Sequence, residues 1–251
     1  MIEGLLPNGV AVVEDVSDEP GDISGLFPEE EAAISAALKE RRYQFAAARA
    51  CVRKAMTRLG EPPLPVPADA VGAPKWPSGL VGSITHCRGY RAAALARSAD
   101  IETLGIDAEP NLPLREGVLP LVASPEEQER LRDLSCHVPQ VHLDRVLFSA
   151  KEAAYKAWYP LYGVRLGFGD AELTLSGRVC DGGGPGPCGD EATGTFRARL
   201  LARDSTTAHS PHEEFQGRWA VRGSFILTAV ARTRDTRDRG PGTASQSSEA
   251  V

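Results

Sequence analysis

The sequence predicts an α+β chain built as two similar halves, and three features carry that reading. Two long stretches, Pro28 to Leu59 and about 141 to 159, hold apolar residues at helical spacing. Short β-rich runs follow each of them, and those in the last third read as antiparallel strands separated by polar loops. The repeated order of helix then strands permits two similar lobes, 1–105 and 106–235, with a tail at 236–251.

Residues 9–16, GVAVVEDV, read as an opening strand. The first helix begins at Pro28, where proline suits the first turn, with Glu29, Glu30 and Glu31 at the positive end of its dipole. Ile34, Leu38, Phe45, Val52, Met56 and Leu59 hold its apolar face, and Gly60 with the proline-rich EPPLPVP ends it. Arg41 falls in the middle of that face and Arg49 on its edge. An inward arginine needs an anionic partner, because an unpaired buried charge is costly. Protein carboxylates, an anionic ligand, or a side chain snorkelling to solvent would each meet that need.

From residue 68 the chain reads as irregular through GSITHC. YRAAALARS and IETLGIDAE then read as two strands joined by a short polar turn at Ala99–Asp100. Ser124-Pro125-Glu126-Glu127 has the pattern of a helix start, with the helix running to about Leu134. Leu143, Val146, Leu147, Ala150, Ala154 and Ala157 share one face of the second long helix. AELTLSGRV, TFRARLLA and GRWAVRGSFILTAVA supply the closing strands. The last residues, RTRDTRDRGPGTASQSSEAV, offer too little apolar surface to pack and are predicted to be disordered.

Composition narrows the function. The 251 residues are 42 % apolar and 25 % charged, with a net charge of −6. That balance is an ordinary globule's and argues against a nucleic-acid partner, which would call for a basic face. No apolar run approaches the ~20 residues that cross a bilayer. The start has no basic segment of the signal-peptide kind, so a cytoplasmic protein with no membrane partner is expected. The five cysteines are scattered without a CxxC pair, which fits reduced thiols; Cys180 and Cys188 bracket a DGGGPGP stretch that reads as a flexible loop. Only five lysines occur, at 39, 54, 75, 151 and 156, and two of them fall in one short motif.

Three segments carry chemistry. In Gly105-Ile106-Asp107-Ala108-Glu109-Pro110, strand alternation projects Asp107 and Glu109 together and turns Ile106 and Ala108 into the core. Taken alone this is an exposed strand end with two solvated acids; the alternative is an oxygen-only site for Mg²⁺. In Phe148-Ser149-Ala150-Lys151-Glu152-Ala153-Ala154-Tyr155-Lys156-Ala157-Trp158, Glu152 and Lys156 form an ordinary i,i+4 surface pair. Ser149 and Glu152 also match a capping box, but the apolar period continues unbroken through them, so the helix does not start there. Lys151, Glu152 and Lys156 on so apolar a helix point to a site. In Gly82-Ser83-Ile84-Thr85-His86-Cys87, small and hydroxyl residues leave backbone amides free for phosphate.

VGSITHCRGYRAA, LGIDAEP and FSAKEAAYKAWYPL, in this order and spacing, resemble the three blocks of the Sfp-type (type II) 4′-phosphopantetheinyl transferases. The likeness is to the branch of enterobactin synthetase component D and the actinobacterial enzymes. GAPKWPSG and RRYQFAAARACVRKA add to it, and it covers about residues 30–170. The resemblance implies a pseudo-two-fold α+β fold, each lobe a helix packed on an antiparallel sheet, with coenzyme A as substrate in the cleft between them. It implies Mg²⁺, with Mn²⁺ as a substitute, on Asp107, Glu109, Glu152 and the Ala108 carbonyl. It assigns Arg41 and Arg49 to the coenzyme's phosphates, Thr85 and His86 to its 3′-phosphate, and Gly72, Ala73 and Pro74 to the adenine side. Lys156 would reach the diphosphate, and Leu166 the pantetheine channel. The basic residue common before the Gly-x-Pro segment is Val71 here, and Lys75 stands as its candidate replacement.

The activity so implied moves the 4′-phosphopantetheine arm to a serine of apo acyl or peptidyl carrier proteins, of the polyketide, nonribosomal peptide, fatty-acid or siderophore kind. Asp107, Glu152 and Lys156 would be its catalytic residues, in a monomer. A Mg²⁺-dependent nucleotide phosphohydrolase and a non-catalytic carrier-binding module are the competing readings.

Overall fold

The computed structural model describes residues 1–179, 192–200 and 213–234. The 180–192 loop, nearly whole, with Cys180 and Cys188, and the 236–251 tail lie outside those residues. The first lobe contains β1 (Ala11–Asp15), α1 (Pro28–Ala33), α2 (Lys39–Arg58), β2 (Leu80–Cys87) and β3 (Tyr90–Arg97). The chain then continues through β4 (Ile101–Pro110), α3 (Leu119–Val122), α4 (Pro125–Ser135) and α5 (Leu143–Tyr162). It closes with β5 (Ala171–Val179), β6 (Ala192–Leu200), β7 (Glu213–Arg222) and β8 (Phe225–Thr233).

The strands make two antiparallel sheets, ordered β1-β3-β2 and β4-β8-β7-β6-β5. α2 covers one face of the first through Val52, Ala55, Met56, Ala93 and Leu95. α5 covers one face of the second through Val146, Leu147, Ala150, Ala154 and Trp158. A third cluster, with Val12, Ala92, Ala94, Ile106 and Leu227, joins the sheets. The α+β reading with a helix on each sheet therefore holds. β3 and β4 are neighbours in sequence but sit in different sheets, so the chain crosses over at 98–100. The expected lobe boundary after residue 105 falls inside β4.

Two expectations are corrected. The single helix over 28–59 is two helices, interrupted at 34–38, and Leu38, expected in the core, is 83 % exposed. The break turns α1 so that Glu30, fully buried, meets Arg53 of α2 at 3.0 Å. The GSITHC segment is not irregular: β2 pairs with β3 from Leu80 to Cys87. Its amides are not all free, because alternate residues of an antiparallel ladder bond the neighbouring strand.

The seam between β2 and β4 explains how the lobes meet. These two strands share no backbone ladder. Instead Ser83 Oγ accepts from the Ile106 amide at 3.0 Å, and Thr85 Oγ1 accepts from the Ala108 amide at 3.0 Å. Small hydroxyl side chains act as rungs between two sheets. Gly105 completes the junction on the other face of β4. A Cβ there would lie 2.0 Å from the Ala153 carbonyl oxygen, so only glycine lets α5 pack this close to the strand.

Candidate functional site

β4 and α5 together build the site. Asp107 lies opposite Ile106 and Ala108 as the strand alternation predicts, but it faces α5 and is buried, which corrects the reading of this segment alone as an exposed strand end with solvated acids. Asp107 is 6 % exposed, and its carboxylate is fully engaged. Oδ1 accepts from Lys156 Nζ at 2.7 Å and from Thr85 Oγ1 at 3.2 Å, and Oδ2 accepts from Ser149 Oγ at 2.8 Å. Lys156 Nζ also donates to the Ile106 carbonyl at 3.1 Å. Its partner is thus Asp107, not the helix neighbour Glu152 of the i,i+4 reading.

Glu109 and Glu152 flank this centre. Glu109 accepts from Arg145 Nη1 at 3.0 Å. Burial and then Asp107 push its carboxyl up, while Arg145 and Lys156 draw it back. Glu152 is half-buried and has no hydrogen-bond partner among the described residues. Its carboxyl is also pushed up, by burial first and by Asp107 second, against the opposing pull of Lys156. Among the described residues no three His, Cys, Asp or Glu side chains gather closely enough to hold a metal by themselves. The candidate donors along this face are oxygens only. The Ala108 carbonyl shares the outer edge of β4 with its amide and with the Ile106 carbonyl, away from β8.

The other expected residues belong mostly to the first lobe. Arg41 is exposed on α2, with Nη1 3.2 Å from Nε2 of His86 at the end of β2. Loss of solvent around the ring, then Arg41 and Lys156, lower the pKa of the His86 imidazole; the guanidinium can only donate, so Nε2 is the acceptor of this contact. Thr85 is buried, with its hydroxyl both donating to Asp107 and accepting from Ala108. Arg49 is buried too: its Nε donates to the Val66 carbonyl at 2.6 Å and its guanidinium lies 4.0 Å over the Phe45 ring. Loss of solvent lowers its pKa to about 10 despite Glu30 nearby.

Gly72, Ala73 and Pro74 form a tight loop with Gly72 at φ +89°, closed by the Asp69 carboxylate on the amides of Val71 and Ala73. Lys75 is exposed beyond it. Val71, Glu152, Tyr155, Arg165 and Leu166 line a cavity of about 350 Å³, which places the expected channel residue beside the acidic centre.

Lys151 does not share this role. It turns inward to Glu127 at 2.9 Å and the Phe168 carbonyl at 3.0 Å, a buried pair tying α5 to α4. Ser149 was missed in return. It bonds Asp107 and lies 2.9 Å from Thr228 of β8. Its signal was present, since Ser149, Glu152 and Lys156 at i, i+3 and i+7 share one helix face. Arg145, Tyr159 and Asp69 carried no comparable pattern.

Residues 29–96 match the 4′-phosphopantetheinyl transferase N-terminal domain, and residues 103–179 match the 4′-phosphopantetheinyl transferase superfamily. The chain is 45 % identical over 250 residues to the 4′-phosphopantetheinyl transferase Svp of Streptomyces mobaraensis, covering 99 % of this chain and 94 % of that one. This chain belongs to the 4′-phosphopantetheinyl transferases. It is 44 % identical over 232 residues to the transferase Npt of Nocardia iowensis, covering 92 % and 99 % of the two chains. A more distant likeness, 28 % over 209 residues, is to enterobactin synthase component D of Salmonella typhi, covering 82 % and 79 %. The chain is therefore an enzyme, and its reaction is phosphopantetheinyl transfer, which sets aside the phosphohydrolase and the non-catalytic module.

Proposed function

We propose that this transferase moves the 4′-phosphopantetheine arm of coenzyme A to a serine hydroxyl of apo acyl or peptidyl carrier domains, with Mg²⁺ held at Asp107. The observation that carries this reading is the ion pair of buried Asp107 with half-buried Lys156, flanked by Glu109 and Glu152, beside a cavity that Glu152 and Leu166 line. The donor set suits the ion, because Mg²⁺ takes one or two carboxylates and completes its shell with water and substrate phosphates. Asp107, with Glu109 and the Ala108 carbonyl beside it, would hold the ion together with water and substrate phosphates, and when bound it supplies positive charge to the diphosphate. No cage of three acids is needed for that, and Mn²⁺ has the same oxygen preference.

In the reaction the serine oxygen forms a bond to the β-phosphorus as the bond to the bridging oxygen breaks, releasing 3′,5′-ADP. Glu152 has an unengaged carboxylate at the cavity wall and takes the serine proton. Lys156 faces the charge that builds on the diphosphate. Arg41 and His86, on the first lobe, meet the 3′-phosphate; Gly72, Ala73, Pro74 and Lys75 border the adenine. Both lobes of one chain contribute, which suits a monomer. Among the described residues no helix is long and apolar enough to cross a membrane, and we place the enzyme in the cytoplasm with its carriers.

Arg41→Ala tests the phosphate assignment. Coenzyme A binding should weaken by about 1.5 kcal/mol, the lower end for a charged hydrogen bond because the side chain is exposed. The loss should shrink for dephospho-coenzyme A. Calorimetry that finds equal affinity in variant and parent would remove Arg41 from the site.

A further inference from the structure

Glu30 has no place in the transfer reaction, yet it is the most heavily engaged carboxylate of the first lobe. It is fully buried, and both of its oxygens are occupied. Oε2 accepts from the Phe27 amide at 3.1 Å and from Arg53 Nη1 at 3.0 Å. Oε1 accepts from the Val66 amide at 2.9 Å and lies 3.8 Å from Arg49 Nε. Arg49 Nε in turn donates to the Val66 carbonyl at 2.6 Å. One buried ion pair therefore grips both polar groups of a single backbone residue, itself fully buried.

The segment just past Val66 gives the grip its meaning. Pro67 accepts from the Lys75 amide at 2.9 Å, Ala68 bridges Pro74, and the Asp69 amide donates to the Ala73 carbonyl at 2.8 Å. The loop 67–75 thus closes on itself one residue past the clamp. Near its far end Tyr159 of α5 donates its hydroxyl to Asp69 Oδ2 at 3.0 Å. The loop is held at two points, its root in the first lobe and its tip on the helix that carries Glu152 and Lys156. An apolar pair would fill the volume of Glu30 and Arg49 at lower desolvation cost; a charged pair bonded to one peptide specifies a position.

We propose that Glu30 is a positioning residue for coenzyme A: with Arg49 it clamps Val66 and so fixes the 67–75 loop as a preformed wall of the cleft. This rests on the reading that Gly72, Ala73 and Pro74 border the coenzyme. It also gives a role to the Nε of Arg49 and fits the break at 34–38, which brings Glu30 inward.

The test is hydrogen exchange and kinetics on the full chain with Glu30→Gln. One amide oxygen cannot serve Val66, Phe27 and Arg53 together. Amides 66–75 of the free variant should exchange about tenfold faster while those of β4 and α5 hold, the effect of losing roughly one charged hydrogen bond locally. KM for coenzyme A should rise about tenfold while kcat at saturation stays within about twofold, the pattern of lost ground-state binding. The rise should be equal for dephospho-coenzyme A, and KM for the carrier should not move. Tyr159→Phe loosens only the outer anchor, and it carries the test in the same direction if Glu30→Gln does not fold. Unchanged exchange at 66–75 would overturn the clamp, as would a KM rise confined to coenzyme A over its dephospho form. Absence of coenzyme A protection at 67–75 in the parent would instead sink the reading of the cleft wall, and free-state exchange separates the two failures.

Discussion

Asp107→Asn is expected to reduce transfer by about 10³-fold, the several kcal/mol that a metal-held charge contributes to phosphoryl chemistry. The substitution is chosen for its shape. Asparagine Oδ1 can still accept from Lys156 and Thr85, and its amide can donate to Ser149, which holds the Asp107 carboxylate at 2.8 Å. The fold should therefore survive. Alanine would confound the result, because it removes the charge and also leaves Lys156, Thr85 and Ser149 without their hydrogen-bond partner. The readout is release of 3′,5′-ADP together with the mass shift of an apo-carrier. An unaltered rate at millimolar Mg²⁺, in a variant with native thermal unfolding, would remove Asp107 from the metal and from the reaction.

Glu152→Gln separates two roles that one carboxylate can play. Glu152 lies on the same face of α5 as Ser149 and Lys156, beside the cavity lined by Tyr155 and Leu166. Both other residues on that face are committed to Asp107, whereas Glu152 has no hydrogen-bond partner among the described residues. If it accepts the serine proton, glutamine leaves coenzyme A and Mg²⁺ binding in place and lowers the rate by about 10²–10⁴-fold, the usual worth of a general base. Raising Mg²⁺ should not restore the rate. If Glu152 is chiefly a ligand, the loss should appear as weakened metal affinity and should be recovered at high Mg²⁺. Near-full rescue across a Mg²⁺ titration would reject the base and keep the ligand.

Several of these contacts were legible from the chain alone, and their legibility has a physical cause. A strand alternates and a helix repeats, so the placing of Asp107 opposite Ile106 and Ala108 follows from position in β4, whereas its burial, against a reading of the segment alone as a solvated strand end, does not. The buried face of α5, from Leu143 through Ala157, follows from spacing in the same way and was found as expected. The start of α4 at Ser124 with Glu127 reaching back was readable because a capping box is a local hydrogen-bond pattern. Membership of the transferase family was readable because the three blocks lie in order along the chain, and the relatives bear it out.

Chain order alone left open which charge meets which. Lys156 stands four residues from Glu152, yet its ammonium reaches across to β4, since α5 packs onto Gly105 and brings Asp107 within 2.7 Å. Lys151 is next to Glu152 in sequence, but the helical turn of about 100° points its ammonium to Glu127 of α4. The division of the long first helix accompanies the bonds of buried Glu30 to residues 23 and 36 positions away, and no periodicity records partners so distant. The faces of the elements could be read along the chain, because they depend on local geometry. The tertiary structure decided the pairing of charges across them, because that depends on which elements the folded core brings side by side.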